Sequence, residues 1–93
     1  MKKVAVLLGS TSDEEVMKGC TDYLTKFGIP WDLKILSAHR TPDATAAFVK
    51  SAEENGYALI IAAAGMAAHL PGVAAAYTTL PVIGVPLAGS ELR

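Results

Sequence analysis

Trp31-Asp32-Leu33-Lys34-Ile35-Leu36, running into Ser37-Ala38-His39-Arg40-Thr41-Pro42, is the stretch from which the fold can be read. Its first half alternates, with Trp31, Leu33 and Ile35 set against Asp32 and Lys34, and so predicts a strand at the edge of a sheet. Thr41 then suits a helix N-cap, Pro42 the first helical turn, and Asp43 the positive end of the helix dipole. His39 and Arg40 therefore sit in a tight strand-to-helix turn. In open parallel α/β sheets, ligands bind just beyond the carboxyl ends of the strands. A histidine there can move protons near neutral pH, and an arginine can hold a phosphate or carboxylate with a rigid fork of donors. A surface arginine pairing with a carboxylate, next to a polar loop histidine, would account for the hexapeptide equally well. Taken alone, it leaves both readings open.

Upstream, Val4-Ala5-Val6-Leu7-Leu8 is a continuous apolar run, as in a strand buried on both faces, and Gly9 ends it. Ser10-Thr11-Ser12-Asp13-Glu14-Glu15 opens a helix in which Val16, Met17, Cys20, Leu24 and Phe27 recur at helical spacing. Gly28 and Pro30 stop it. Ser12 and Glu15 fit a capping box. Backbone N–H groups and hydroxyls at a helix N-terminus also make an anion seat, although neither a Walker A loop nor Gly-x-Gly-x-x-Gly is present.

Downstream, a helix from Pro42 to about Asn55 is expected to bury Phe48, Val49 and Ala52, with Asn55-Gly56 closing it. Ala58 to Ala64 is wholly apolar and reads as a central strand. Gly65-Met66-Ala67-Ala68-His69-Leu70-Pro71-Gly72 is expected to be a turn whose small residues let a backbone approach a ligand. A short Ala-rich helix to about Thr79 follows, then a strand from Leu80 to Pro86, then loop from Leu87 to Arg93.

The order βαβαβαβ calls for a single α/β domain over residues 1–93, with a parallel sheet and right-handed crossovers. In a three-layer, flavodoxin-like strand order 2-1-3-4, the loops at Ser10–Asp13, Ser37–Pro42 and Ala64–Gly72 meet at one sheet edge. Every polar loop residue singled out so far falls there.

Composition narrows the function classes. Of the 93 residues, 52% are hydrophobic and the net charge is −1, so there is no basic footprint for nucleic acid. The apolar run after Met1-Lys2-Lys3 is too short for a signal peptide or a membrane span. The lone Cys20 on an apolar helix face reads as a small core residue, and the chain as soluble and cytoplasmic. No Cys/His spacing suggests zinc, and no Gly-x-Ser-x-Gly elbow suggests a serine hydrolase. Asp13 could accept hydrogen bonds from sugar hydroxyls or simply complement a helix dipole. His69, before Leu-Pro-Gly, could simply bond backbone to shape its turn. The residues by themselves reach a phosphorylated sugar ligand and one proton-transfer histidine.

Gly9-Ser10-Thr11-Ser12-Asp13, Ser37-Ala38-His39-Arg40-Thr41-Pro42, Ala67-Ala68-His69-Leu70-Pro71-Gly72 and Pro81-Val82-Ile83-Gly84-Val85-Pro86 also carry a resemblance. In this order and spacing they closely resemble the catalytic subunit of phosphoribosylaminoimidazole carboxylase. The bacterial form of that family is N5-carboxyaminoimidazole ribonucleotide mutase, an isomerase of de novo purine biosynthesis. The resemblance implies His39 as the catalytic acid/base, with Ser10, Ser12 and Asp13 on the ribonucleotide and Arg40 on its phosphate. Ser37, Ala38, Gly65, His69 and Leu70 would complete the substrate site. It further implies a small-molecule partner, neither metal nor cofactor, and a homo-octamer. The Arg-Thr-Pro ending resembles the mutase branch rather than the branch that takes free CO2, which tends to carry Lys after the histidine. Where many members have Gly-Ala-Gly-Gly, this chain has Ala63-Ala64-Gly65-Met66, a bulkier third loop. Family members are longer, with a further strand and C-terminal helices, which leads us to expect an incomplete family domain with an exposed apolar fourth strand. Carboxylation with free CO2 and a non-catalytic nucleotide-binding module are the two alternatives.

Overall fold

The apolar and alternating runs become four parallel strands: Lys3–Leu8 (β1), Trp31–Ile35 (β2), Tyr57–Ala64 (β3) and Val82–Pro86 (β4). The computed structural model describes residues 2–36, 41–64 and 69–87. Glu14–Lys26 (α1), Pro42–Ser51 (α2) and His69–Tyr77 (α3) alternate with the strands, and a 3-10 turn, Thr11–Asp13, leads into α1. The strand order is β2-β1-β3-β4, with every pairing parallel. This is the flavodoxin-like arrangement expected from the sequence, with β2 at an edge and the apolar β1 and β3 in the centre.

Alternate residues of the central strands feed two cores. On one face, Met17 of α1 is buried with Val4, Val6, Leu8, Ile61, Ala63 and Leu87. On the other, Val49 and Ala52 from α2 and its C-terminal turn, with Ala74 of α3, are buried with Ala5, Leu7, Tyr57, Ile60 and Ala62. So α1 covers one face, while α2 and α3 share the other. Among the described residues, no helix is long and apolar enough to cross a membrane.

Several expectations need correction. Val16 and Phe27, read as part of the buried stripe of α1, are exposed, while Thr21 is buried in their stead. Cys20 is half-buried, packed beside the Met17 core. The cap of α1 is Asp13, not Ser12, and it makes no side-chain capping bond, because the 3-10 turn precedes the α-helix. The second helix ends at Ser51. The chain then turns through Gly56, whose φ of +93° belongs to the left-handed region that glycine tolerates. His69 to Gly72, read as part of a turn, form the start of α3. Pro71 is compatible with this because N–H groups of a first helical turn have no intrahelical partner.

At the amino ends of the strands, a polar cluster ties β2, β1 and β3 together. Lys3 donates to the Asp32 carboxylate at 2.8 Å, and the Tyr57 hydroxyl donates to the same oxygen at 2.6 Å. The Lys3 ammonium lies 4.7 Å from the Tyr57 ring centroid, where a bulge brings Lys3 opposite Tyr57. Hydrogen bonds from Lys3, then from Tyr57, hold the Asp32 carboxyl below its ordinary 3.8. The Asp32 bond raises Lys3 above 10.5, and burial followed by that bond raises Tyr57 above 10.0. A depressed carboxyl stabilises the fold above its unfolded pKa, and that contribution is lost as pH falls through the folded value. Raised Lys and Tyr groups stabilise below their unfolded values and lose this as pH rises. The cluster's contribution therefore fades below about pH 4 and above about pH 10. Asp32→Asn should lower the urea midpoint at pH 7 and flatten both limbs. Limbs as steep as wild type would show that other groups set them.

Candidate functional site

The carboxyl ends of the strands stop in one row. Leu8 is level with Ile35 on one side and Ala63 on the other, and Ala63 is level with Val85. The Leu36 N–H donates to the Leu8 carbonyl at 2.8 Å, so the last described residue after β2 is held beside the end of β1. From this row the β1 connection passes to the α1 face, while the connections after β2 and β3 pass to the α2/α3 face. In open α/β sheets the place where adjacent connections pass to opposite faces, here between β1 and β3, is where ligands bind. The segments carrying the sequence-predicted site residues leave from this row.

On the β1 side, Ser10 and Asp13 are both half-buried, and the Ser10 carbonyl accepts the Asp13 N–H at 3.1 Å. That bond closes the 3-10 turn and brings the two residues together at the rim. Ser12 lies between them on the same turn. Glu14 and Glu15 occupy the first turn of α1. Their charges already complement the helix dipole, which favours hydroxyl recognition by Ser10 and Asp13 over a phosphate seat. A Cβ built on Gly9 would meet no described atom within 4 Å, and its φ is not positive. Neither backbone conformation nor packing among the described residues calls for glycine here, and a ligand has room to approach this backbone.

On the β2 side, Ser37, Ala38, His39 and Arg40 lie outside the described residues, as does Gly65 after β3. The flanks of the first segment are defined. Leu36 is fixed to β1, and Thr41 is the N-cap of α2 with Pro42 in the first turn, as expected. Thr41 does not cap through its side chain. Its carbonyl instead accepts two bonds from Thr45, the N–H at 3.0 Å and the hydroxyl at 2.8 Å. Thr45 is fully buried, and the sequence reading passed over it. Its signal was available: a threonine four residues after the N-cap and four before the core residue Val49. After β3, His69 and Leu70 stand in the first turn of α3.

The fold defines a doubly wound α/β domain of the flavodoxin-like class, in which ligands bind at the carboxyl ends of the strands. Within that class the chain belongs to the AIR carboxylase family, whose model matches residues 3–93. Among curated proteins it is 52% identical over 93 residues to the N5-carboxyaminoimidazole ribonucleotide mutase of Thermotoga maritima, covering 100% of this chain and 54% of that protein. It is also 52% identical over 90 residues to that of Bacillus subtilis, covering 97% of this chain and 56% of that protein. Among solved structures, Treponema denticola PurE superimposes with a TM-score of 0.86 at 27% identity, over 97% of this chain and 58% of that one. The chain thus spans a little over half the length of the relatives it matches.

Proposed function

We propose that this chain carries the ribonucleotide site of an N5-carboxyaminoimidazole ribonucleotide mutase. The observation that carries the reading is roughly half identity, across nearly the whole chain, to curated proteins of that name. The level row of strand ends, with Ser10 and Asp13 at its rim, supports it. In this reading Ser10, Ser12 and Asp13 hold the ribose, Arg40 grips the phosphate, and Ser37, Ala38, Gly65, His69 and Leu70 line the base.

The reaction moves one carboxylate and one proton. The bond between N5 and the carboxylate breaks as a proton reaches the nitrogen, releasing CO2 and the aminoimidazole. C4 then attacks CO2 with its enamine electron pair, and loss of the C4 proton restores the aromatic ring. His39 gives the first proton and takes the last, so the enzyme ends as it began. The crevice must retain CO2 between the two steps and keep water out. The product is the C4 carboxylate of the same ribonucleotide, an intermediate of purine biosynthesis. The protein acts in the cytoplasm as a homo-oligomer on this small molecule.

Incubating the protein with each ribonucleotide, with and without bicarbonate, and following the carboxylated imidazole by absorbance tests the reading. Turnover of the N-carboxylated substrate without bicarbonate is expected. Turnover only of the uncarboxylated substrate with bicarbonate would make it a carboxylase, and binding without turnover a nucleotide-binding module.

Arg40→Lys keeps the charge but loses the bidentate grip on phosphate. We expect KM to rise about tenfold, with kcat changed much less, the scale of one charge-assisted hydrogen bond. An unchanged KM would show that Arg40 points elsewhere.

A further inference from the structure

α2 buries two side chains, Thr45 and Val49, and their four-residue spacing puts them on one face of the helix. Val49 sits in the core with Ala5 and Leu7, so that face is the one toward the sheet. Thr45 lies one turn nearer the helix N-terminus, the end that Arg40 leads into. It is fully buried, where an apolar side chain is the usual occupant. Its hydroxyl does not serve the helix, because the Thr41 carbonyl that takes it at 2.8 Å already accepts the Thr45 N–H at 3.0 Å. Threonine hydroxyls bonded four residues back slightly destabilise helices. The second donor instead holds the direction of that carbonyl.

Thr41 is not helical, with φ −133° and ψ 58°, and the proline after it disfavours the helical alternative. Its Cα lies in the same peptide plane as its carbonyl. With α2 seated on the core through Val49, two donors on that carbonyl fix the plane and the point where Arg40 joins the helix. The far end of the same segment is held as well, by the Leu36 N–H on the Leu8 carbonyl. We infer that Thr45 is a positioning residue of the ribonucleotide site, its hydroxyl fixing the Thr41 anchor from which Arg40 reaches the phosphate. This rests on the reading of Arg40 as the phosphate contact.

Calorimetric titration of the protein with aminoimidazole ribonucleotide tests this. Thr45→Val should raise Kd about threefold to tenfold, the scale of one hydrogen bond, and Thr45→Ser, which keeps the hydroxyl, less than about twofold. Added to Arg40→Lys, Thr45→Val should raise Kd less than about twofold further, because the hydroxyl acts through Arg40. The urea midpoint of Thr45→Val should stay within about 0.3 M of wild type, since the Thr41 carbonyl keeps its backbone donor. Equal losses in Thr45→Val and Thr45→Ser would make Thr45 a packing residue and overturn the assignment. So would a Thr45→Val effect that adds in full to that of Arg40→Lys, or a Thr45→Val chain that does not fold. Binding indifferent to Thr45→Val would overturn the positioning role alone. A wild-type protein that does not bind the ribonucleotide would overturn the proposed function itself, and the positioning role with it.

Discussion

In a His39→Asn variant, turnover of the N-carboxylated ribonucleotide should fall by about 10²–10⁴-fold while the ribonucleotide still binds. Net isomerisation moves one proton from C4 to N5, so one group must both donate and accept near neutral pH. Histidine does this at an ordinary pKa, whereas carboxylates and lysines need strong perturbation first. Asparagine keeps the size and a hydrogen-bonding end but cannot carry the proton. In the proposed site, ribose recognition at Ser10 and Asp13 and phosphate recognition at Arg40 would not depend on that proton. Kd should therefore stay within a fewfold of wild type, measured by titration calorimetry, while kcat collapses. Near wild-type kcat would remove His39 from the proton path. Loss of binding together with turnover would make it a substrate contact instead.

Leu7→Ala should be the most damaging single truncation in the core. Leu7 is fully buried in a central strand, between Lys34 of β2 and Ala62 of β3 in register. It packs in the cluster that joins the sheet to α2 and α3. Removing its outer methyls loses their transfer energy and leaves a cavity that two flanking strands keep from collapsing. Such substitutions cost about 2–5 kcal/mol. Domains of this size are stable by roughly 5–15 kcal/mol, so the variant is left marginal. With a urea slope of about 1–3 kcal/mol/M, the midpoint should fall by one to several molar, read by circular dichroism. A shift under about 0.5 M would mean that the core relaxes around the gap. Phe27→Ala, which removes a larger but exposed side chain, should move the single-chain midpoint far less.

The order of elements, the parallel sheet and the identity of its edge and central strands were determined by the sequence alone. Each depends on local patterning: alternation in Trp31 to Leu36 marks a half-buried edge, and unbroken apolar runs mark β1 and β3. The strand ends from which the candidate site segments leave were legible for the same reason, since the parallel strand order brings them to one edge. Tertiary structure alone decided how α1 faces the sheet. Periodicity showed a wide apolar arc containing Val16, Met17, Cys20, Leu24 and Phe27, and burial of Met17 left Val16 and Phe27 outside. A helix touches a sheet along a strip narrower than that arc, and no local rule says which part of the arc meets it. The start of α3 at His69 was hidden because a first turn tolerates Pro71 and Gly72, the same residues that signal a loop. Asp32 looked like the solvent side of an edge strand, yet it holds Lys3 and Tyr57, which are 29 and 25 positions away. Side-chain bonds across that span exist only once three strands lie side by side, so no window of sequence contains them.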